Sequence, residues 1–182
     1  MIKASDCKGD QRTAATIRTI SPHDFELERQ FIESLSPTTG YRRLFSPRRP
    51  TDEEIRRFTS IDPSREFALI AIVGDAPDQR MVGVGRWVKP SADANVAEFA
   101  LVVADDWQGK GLGTKILNGL LSEAKRRRLQ QVRGDSLTEN EPMLQLCRKL
   151  GFSFVTQPGF AAVTKLSVDL KSWPPEHGSE IL

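Results

Sequence analysis

The pattern of apolar and polar positions changes period along the chain, and each period predicts a different kind of element. Near-continuous apolar runs occupy residues 67–73, 81–88 and 96–104, which is typical of strands buried in a sheet. Short polar segments with Gly, Pro, Asp and Asn separate these runs, so we predict an antiparallel meander. Further strands are predicted at residues 15–20, 132–137, 152–155 and 162–168.

A helical period, with apolar residues three and four positions apart, predicts four helices between these strands. The first begins with Ser21 as its cap and is expected to end where Pro37 and Gly40 interrupt the pattern. The second begins at Thr51, because Glu54 three positions later completes a capping box. The last two are predicted over residues 112–128 and 140–150.

This order of elements predicts a single α+β domain. We expect a mixed, mostly antiparallel sheet of six to seven strands flanked by about four helices. The domain is expected to span residues 14–170, between a flexible N-terminus of residues 1–13 and a loose C-terminal tail of residues 171–182.

Composition and charge argue against several classes of protein. Of 182 residues, 38% are hydrophobic and 27% are charged, as in a soluble globular protein. No apolar run approaches the roughly 20 residues that span a bilayer, and the N-terminus has no apolar segment of a secretory signal. The net charge of +2 gives no argument for nucleic acid. We therefore expect a cytoplasmic protein that binds neither membranes nor nucleic acids.

The cysteines and histidines are few and far apart. Cys7 and Cys147 are expected to be free thiols in a reducing compartment. His23 and His177 are equally distant, and no Cys/His cluster has the spacing of a zinc site. We predict no metal site.

Three glycines lie between the strand at 96–104 and the next helix, in the segment Gln108-Gly109-Lys110-Gly111-Leu112-Gly113-Thr114. Such a turn exposes backbone N–H groups at a helix N-terminus, where phosphate binds. The alternative is a plain glycine turn. The spacing fits neither a P-loop, which needs a Gly-Lys pair, nor a dinucleotide fingerprint, whose third glycine position is Thr114.

The spacing that does fit is Gln108-x-x-Gly111-x-Gly113, which resembles the acetyl-CoA-binding motif of the GNAT N-acetyltransferases. Two later segments, residues 140–143 and 146–152, resemble the family's next helix, which ends in Gly-Phe. The segments 36–45, 58–62 and 65–69 resemble the acetyltransferase domain of bacterial protein lysine acetyltransferases, which is commonly fused to an acyl-CoA-synthetase-like region.

The resemblance implies an N-acetyltransferase that moves an acetyl group from acetyl-CoA to a primary amine by direct attack. Its acceptor would be a protein lysine or a small amine, and a non-catalytic acyl-CoA sensor is a third alternative. The resemblance leaves open whether the protein is a monomer or a homodimer. The residues it implies for acetyl-CoA are Leu101, Val102, Val103, Gln108, Gly109, Lys110, Gly111, Leu112, Gly113, Thr114 and Asn140. Asn140 has a second interpretation as the cap of its helix.

Glu98 is the only charged residue in the strand at 96–104. It is either an outward-facing or salt-bridged glutamate, or a general base with a raised pKa. In the resembling lysine acetyltransferases a glutamate on this strand is the base, which implies that role for Glu98. Many family members have a tyrosine as general acid at the position of Cys147, which we expect to be a packed thiol rather than a nucleophile.

Two basic segments have alternative interpretations. Residues 125–128 are predicted to be a solvated helix end, with a contact to the 3′-phosphate of CoA as the alternative. The arginines at 42, 43, 48 and 49 lie where the fold places an acceptor-side loop, and one hypothesis is that they dock an acidic protein surface. Gly83 and Gly85 are expected to allow a bulge or close packing.

Overall fold

A computed structural model describes residues 14–46, 48–156 and 162–173. Within them lie seven strands in one sheet, in the order β1-β2-β3-β4-β5-β7-β6. All neighbouring strands are antiparallel except β4 and β5, which are parallel. The predicted α+β class, mixed sheet and meander are therefore confirmed. The strands are β1 Thr16–Thr19, β2 Glu66–Val73, β3 Arg80–Val88, β4 Val96–Val103, β5 Gln131–Leu137, β6 Ser153–Thr156 and β7 Val163–Asp169.

Five α-helices accompany the sheet within the described ranges, one more than predicted. The extra helix lies where we expected the first helix to be broken. Ser36 accepts a hydrogen bond from the N–H of Thr39, and Pro37 takes the first helical position, where no N–H donor is needed. The residues that we predicted to end the first helix therefore begin a second one. The helices are α1 Phe25–Ser34, α2 Pro37–Leu44, α3 Asp52–Thr59, α4 Leu112–Arg126 and α5 Glu141–Lys149.

Helix α4 packs closely on the sheet because two glycines of β3 make room for it. A Cβ atom on Gly85 would lie 2.6 Å from a side-chain carbon of Ile116, and one on Gly83 would lie 3.0 Å from the same side chain. The prediction of close packing at these glycines is confirmed. The predicted apolar face of α4 is buried throughout, at Leu112, Ile116, Leu117, Leu120, Leu121 and Ala124.

The two parallel strands separate after a short ladder. β4 pairs with β5 only from Val96 to Glu98, while its pairing with β3 continues to Val103. Just beyond the last pair, the ring of Phe99 lies so close to Gly134 of β5 that a Cβ there would be 2.7 Å from a ring carbon. The edge of β4 that faces β5 is consequently unpaired beyond Glu98, and a gap opens in the sheet.

The ends of the chain were predicted with mixed success. The tail was expected to be loose from residue 171, but Trp173 is 5% exposed and its carbonyl accepts a hydrogen bond from Lys125 Nζ at 2.8 Å. That part of the prediction is wrong, because the indole packs into the core. Residues 174–182 of the predicted tail, the predicted N-terminal segment and Cys7 lie outside the described residues. In the part of the chain that the structure describes, no helix is long and apolar enough to cross a membrane.

Candidate active site

The glycine loop forms the N-terminal end of α4. Gly109 and Gly111 have φ angles of 71° and 81°, in the left-handed region that glycine enters without strain, and Gly111 is the N-cap residue. A Cβ atom at either position would meet nothing within 4 Å, because both face open space. Gly113 differs: a Cβ there would lie 3.3 Å from a side-chain carbon of Leu146, so this glycine serves the packing of α5 against α4.

The loop presents a row of unpaired backbone donors. No backbone carbonyl in the described ranges accepts a hydrogen bond from the N–H of Gly109, Lys110 or Gly111. The first intrahelical bond of α4 runs from Lys115 N–H to the Gly111 carbonyl at 3.1 Å, so the three preceding N–H groups also lack helical partners. These donors, together with the positive end of the α4 dipole, suit a phosphate group.

Helix α2 is fastened to this loop by side chains that the sequence analysis did not connect. The Asp105 carboxylate accepts hydrogen bonds from the backbone N–H and the hydroxyl of Ser36 and from the hydroxyl of Thr39, the last at 2.7 Å. Burial opposes the charge on Asp105, but these hydrogen bonds outweigh it and lower the pKa of the carboxyl. Gln108 donates from Nε2 to the Val103 carbonyl at 3.1 Å and to Thr39 Oγ1 at 3.4 Å, so its side chain braces the loop.

A cavity of about 300 Å³ lies between the loop, β4 and α5. It is lined by every predicted cofactor residue except Lys110 and Leu112. Lys110 instead places its Nζ 5.3 Å from the centre of the Trp107 ring, and Leu112 is buried in the core. We refer to this space as the donor cavity.

The sequence analysis missed several residues of the donor cavity. Thr39 and Arg42 belong to α2, the helix that was not predicted, and Trp107 lies in the loop. On α5, Met143 and one helical stripe line the cavity. That stripe consists of Pro142, Gln145, Leu146 and Lys149. The last three follow Pro142 by three, four and seven positions, which is the spacing of one helix face, so the pattern after Asn140 could have predicted them.

The free edge of β4 points backbone donors toward the gap between β4 and β5. Ala104 donates its N–H to the Val82 carbonyl of β3 at 2.9 Å. Because successive N–H groups of a strand alternate in direction, those of Leu101 and Val103 point to the opposite edge, into the gap. Val102, paired with Val84 of β3, also lines the cavity, but its N–H points toward β3 and not toward this edge.

A second cavity, of about 540 Å³, lies on the other side of the gap. Leu101 of β4, Arg42 of α2, and Asn140 and Met143 at the start of α5 line both cavities, so the two spaces meet at these residues. We refer to the second space as the acceptor cavity.

Glu98 lines the acceptor cavity and is exposed rather than buried. Its side chain is 63% exposed, and Oε1 accepts a hydrogen bond from Arg133 Nη2 at 2.7 Å. The two residues are register partners at the last rung of the β4–β5 ladder. The outward-facing, salt-bridged arrangement is therefore the observed one, and Glu98 is accessible to water and to a substrate.

Cys147 is a packed thiol, as predicted. The residue is fully buried, and burial raises the pKa of its thiol to about 12. A neutral thiol with no solvent contact is neither a nucleophile nor a reactive acid at neutral pH.

Asn140 does not cap α5 with its side chain. Its backbone carbonyl accepts hydrogen bonds from Met143 and Leu144, but the carboxamide makes no capping hydrogen bond. The capping interpretation is therefore wrong, because a φ of −82° with a ψ of 63° departs from the extended backbone typical of a capping residue. The carboxamide lies where the two cavities meet.

The basic segments divide into structural and unpaired arginines. Arg126 and Arg127 both bind Glu123, and Arg127 also lies 5.0 Å from the centre of the Trp87 ring, so the end of α4 is anchored to the domain. Arg48 pairs with Glu54. Arg42, in contrast, makes no hydrogen bond or ion pair with any residue in the described ranges.

Comparison with known proteins gives the same family as the motif. A family model described as an acetyltransferase (GNAT) domain matches residues 15–153. Acetyltransferase PA5475 of Pseudomonas aeruginosa is 31% identical over 137 residues, which are 75% of this chain and 73% of that protein. Acetyltransferase Pat of Mycolicibacterium smegmatis is 27% identical over 84% of this chain; the matched region is only 45% of Pat.

Solved structures match the fold along most of the chain. The GNAT domain of S. lividans PAT superposes with a TM-score of 0.76 at 26% identity, over 85% of this chain and 90% of that domain. The protein yncA of Salmonella typhimurium, solved with acetyl-CoA, has a TM-score of 0.67 over 86% of this chain and 94% of its own. Its 18% identity makes that second likeness one of fold alone.

Proposed function

The chain belongs to the GNAT family of acetyltransferases, whose members take the acetyl group from acetyl-CoA; on this premise we propose that its acceptor is the side-chain amine of a protein lysine. The carrying observation is the acceptor cavity, which opens from the donor cavity through the gap between β4 and β5. Its lining and rim favour a polypeptide over a small polycationic amine.

The donor cavity fits acetyl-CoA. The unpaired N–H groups of residues 109–114 would hold the pyrophosphate, in the space that Cβ atoms at Gly109 and Gly111 would otherwise invade. The free N–H group of Val103, with the Asn140 carboxamide, would hold the pantetheine arm. Acetyl-CoA supplies the thioester carbonyl that the amine attacks.

Glu98 is the proposed general base. A lysine amine with a pKa of about 10.4 is mostly protonated at neutral pH and must lose a proton before it attacks. The Glu98 carboxylate lines the acceptor cavity and is exposed, so it can accept this proton directly or through a water molecule and release it to solvent. The N–H group of Leu101, a residue that lines both cavities, would stabilise the developing oxyanion. With Cys147 buried, the thiolate of CoA leaves without an acid from that position.

The charge of the acceptor cavity argues against a small polyamine as substrate. Four cations line it, Arg42, Arg43, Arg133 and Lys165, against two carboxylates, Glu98 and Asp135. A polycation would be repelled by this excess. At the rim, Phe45 and Val155 are 41% and 58% exposed, and such apolar surface suits contact with a polypeptide.

The test is a comparison of acceptors under one set of conditions. We expect acetyl transfer from acetyl-CoA to lysine-containing peptides with a kcat/KM at least tenfold above that for spermidine and other small amines. Faster transfer to a small amine than to every peptide of a lysine library would contradict the protein-lysine proposal. The absence of transfer to any acceptor, with acetyl-CoA still bound, would favour the sensor alternative.

A further inference from the structure

Two cations of the acceptor cavity have no partner. Arg42, on α2, and Lys165, on β7, make no hydrogen bond or ion pair with any residue in the described ranges. Lys165 lies directly opposite Asp135 in the β5–β7 ladder, yet the two charged groups form no ion pair within 4 Å. Two unpaired cations that line one cavity favour an anionic group on whatever binds there.

Buried charge behind the cavity adds to this preference. Arg43 is 5% exposed and bonds Glu28 through Nη2 at 3.1 Å, while its Nε and Nη1 have no partner. Arg86 lies on the same aromatic ring, with guanidinium carbons 5.8 Å (Arg43) and 5.0 Å (Arg86) from the centre of Phe58. Glu28 is the one carboxylate bonded to this arginine pair in the described ranges. Two buried guanidinium groups thus share one bonded carboxylate, which leaves a costly net positive charge. This charge raises the electrostatic potential of the cavity that Arg43 lines.

Glu98 and the two unpaired cations lie on different elements of the cavity lining, which suits a lysine with an acidic neighbour. Glu98 lies at the last rung of the β4–β5 ladder, beside the gap through which the thioester would be reached. Lys165 lies on β7 and Arg42 on α2, so neither shares a strand with Glu98. The ammonium of the acceptor is drawn to Glu98, and a carboxylate nearby in the acceptor can reach the unpaired cations.

We propose that this enzyme selects lysines flanked by acidic residues, and that Lys165 and Arg42 bind the flanking carboxylate. The proposal rests on the protein-lysine function and names the kind of polypeptide that is accepted. Recognition of this type is electrostatic at a partly exposed site, so it weakens with added salt.

The experiment compares three peptides that differ only in the two residues flanking the lysine, which are Asp, Asn or Arg. We expect kcat/KM for the Asp peptide to exceed that for the Asn peptide about tenfold, with the Arg peptide slowest. In Lys165→Gln the Asp preference should fall to about threefold or less. Lys171→Gln, which removes an exposed charge outside both cavities, is the matched control and should keep the full preference. Arg42→Gln should also lower the preference, through the peptide KM.

The outcomes distinguish failure of this proposal from failure of the protein-lysine function on which it rests. Equal kcat/KM for the three peptides, or an Asp preference that survives in both Lys165→Gln and Arg42→Gln, would overturn the acidic-flank proposal and leave the protein-lysine function standing. Transfer to small amines with none to any peptide would overturn both.

Discussion

Glu98 combines access to the substrate with an ion pair that holds its carboxylate in place. Arg133 lies 35 positions away in sequence and meets Glu98 only because β4 and β5 are parallel neighbours at that rung. An exposed base is no obstacle to catalysis, because a carboxylate at the cavity wall can accept a proton through one water molecule. The pair holds the Glu98 side chain at the wall of the acceptor cavity.

Replacement of Glu98 tests its role as the base. We expect Glu98→Gln to lower kcat/KM for a lysine peptide by about 10²–10³ at pH 7. The loss should shrink as pH rises toward about 10, because the lysine amine then loses its proton to solvent. Glu53→Gln, on the exposed surface of α3 and outside both cavities, is the matched control. A pH–rate profile of Glu98→Gln that coincides with that of the wild type would exclude Glu98 as the base.

Cys147 provides a prediction about reactivity. With a pKa raised to about 12 by burial, its thiol stays neutral and inaccessible across the working pH range. We expect alkylation of Cys147 by iodoacetamide at pH 8 to be at least 100-fold slower in the native protein than in denaturant, followed peptide by peptide with mass spectrometry. Cys147→Ala should keep kcat within about threefold while costing about 1 kcal/mol of stability. A large loss of kcat in a folded Cys147→Ala would give the thiol a chemical role.

At the scale of elements, the sequence pattern predicted the features that residues close in sequence determine. It failed for the features that depend on contacts between residues distant in sequence. Residues a few positions apart determine the strands, the capped 3₁₀ turn at Ser21 that leads into α1, the cap of α3 and the glycine loop. Helix α2 was missed because its Pro and Gly are breakers in isolation, whereas its N-terminus is held by Asp105, 69 positions from Ser36. The acceptor cavity was beyond prediction for the same reason, since its walls come from α2, β4, β5 and β7.

Two glycines with the same backbone conformation allow the effect of backbone strain to be distinguished from an effect on ligand binding. Gly111 and Gly151 have φ angles of 81° and 80°, and a Cβ at either meets nothing within 4 Å, but only Gly111 lines the donor cavity. Alanine at either should cost about 1–2 kcal/mol of stability from left-handed strain. Only Gly111→Ala should also raise the KM for acetyl-CoA, by tenfold or more, because the methyl group enters the phosphate site. Similar acetyl-CoA KM values in the two variants would refute the proposed phosphate site.

The junction between α2 and the glycine loop should be sensitive to acid. The pKa of Asp105 is lowered in the folded protein from its usual 3.8, so the carboxylate stabilises the fold above that value. This stabilisation is lost as pH falls through the lowered pKa, when Asp105 takes up a proton. We expect urea unfolding to show wild type more stable than Asp105→Asn at pH 7, with the difference shrinking as pH falls below about 4. A difference that stays constant between pH 7 and pH 3 would show that the charge of Asp105 is not involved.

At the scale of the whole molecule, the two cavities adjoin where the sheet divides into two parts. β1–β4, covered by α1 and α4, form one part of the sheet, and β5–β7 form the other. The parts are joined by a parallel ladder of only three residue pairs, Val96–Glu98 with Gln131–Arg133. Acetyl-CoA in the donor cavity would contact β4 and α4 on one side and α5, which connects β5 to β6, on the other, and so would bridge the two parts across the gap.

Binding of acetyl-CoA should therefore stabilise the whole fold. A ligand at 100 times its Kd adds about 2.7 kcal/mol to the free energy of unfolding, which for a domain of this size raises Tm by about 5–11 °C. We expect this rise in thermal unfolding of the wild type and of Glu98→Gln, because Glu98 lines the acceptor cavity only. Gly111→Ala should show a much smaller rise at the same concentration, while Gly151→Ala should show the full one.

Because the bridge spans the gap, protection of amide hydrogens should increase in β5 as well as β4. Protection confined to α4 would show that the ligand holds the glycine loop without joining the two parts of the sheet.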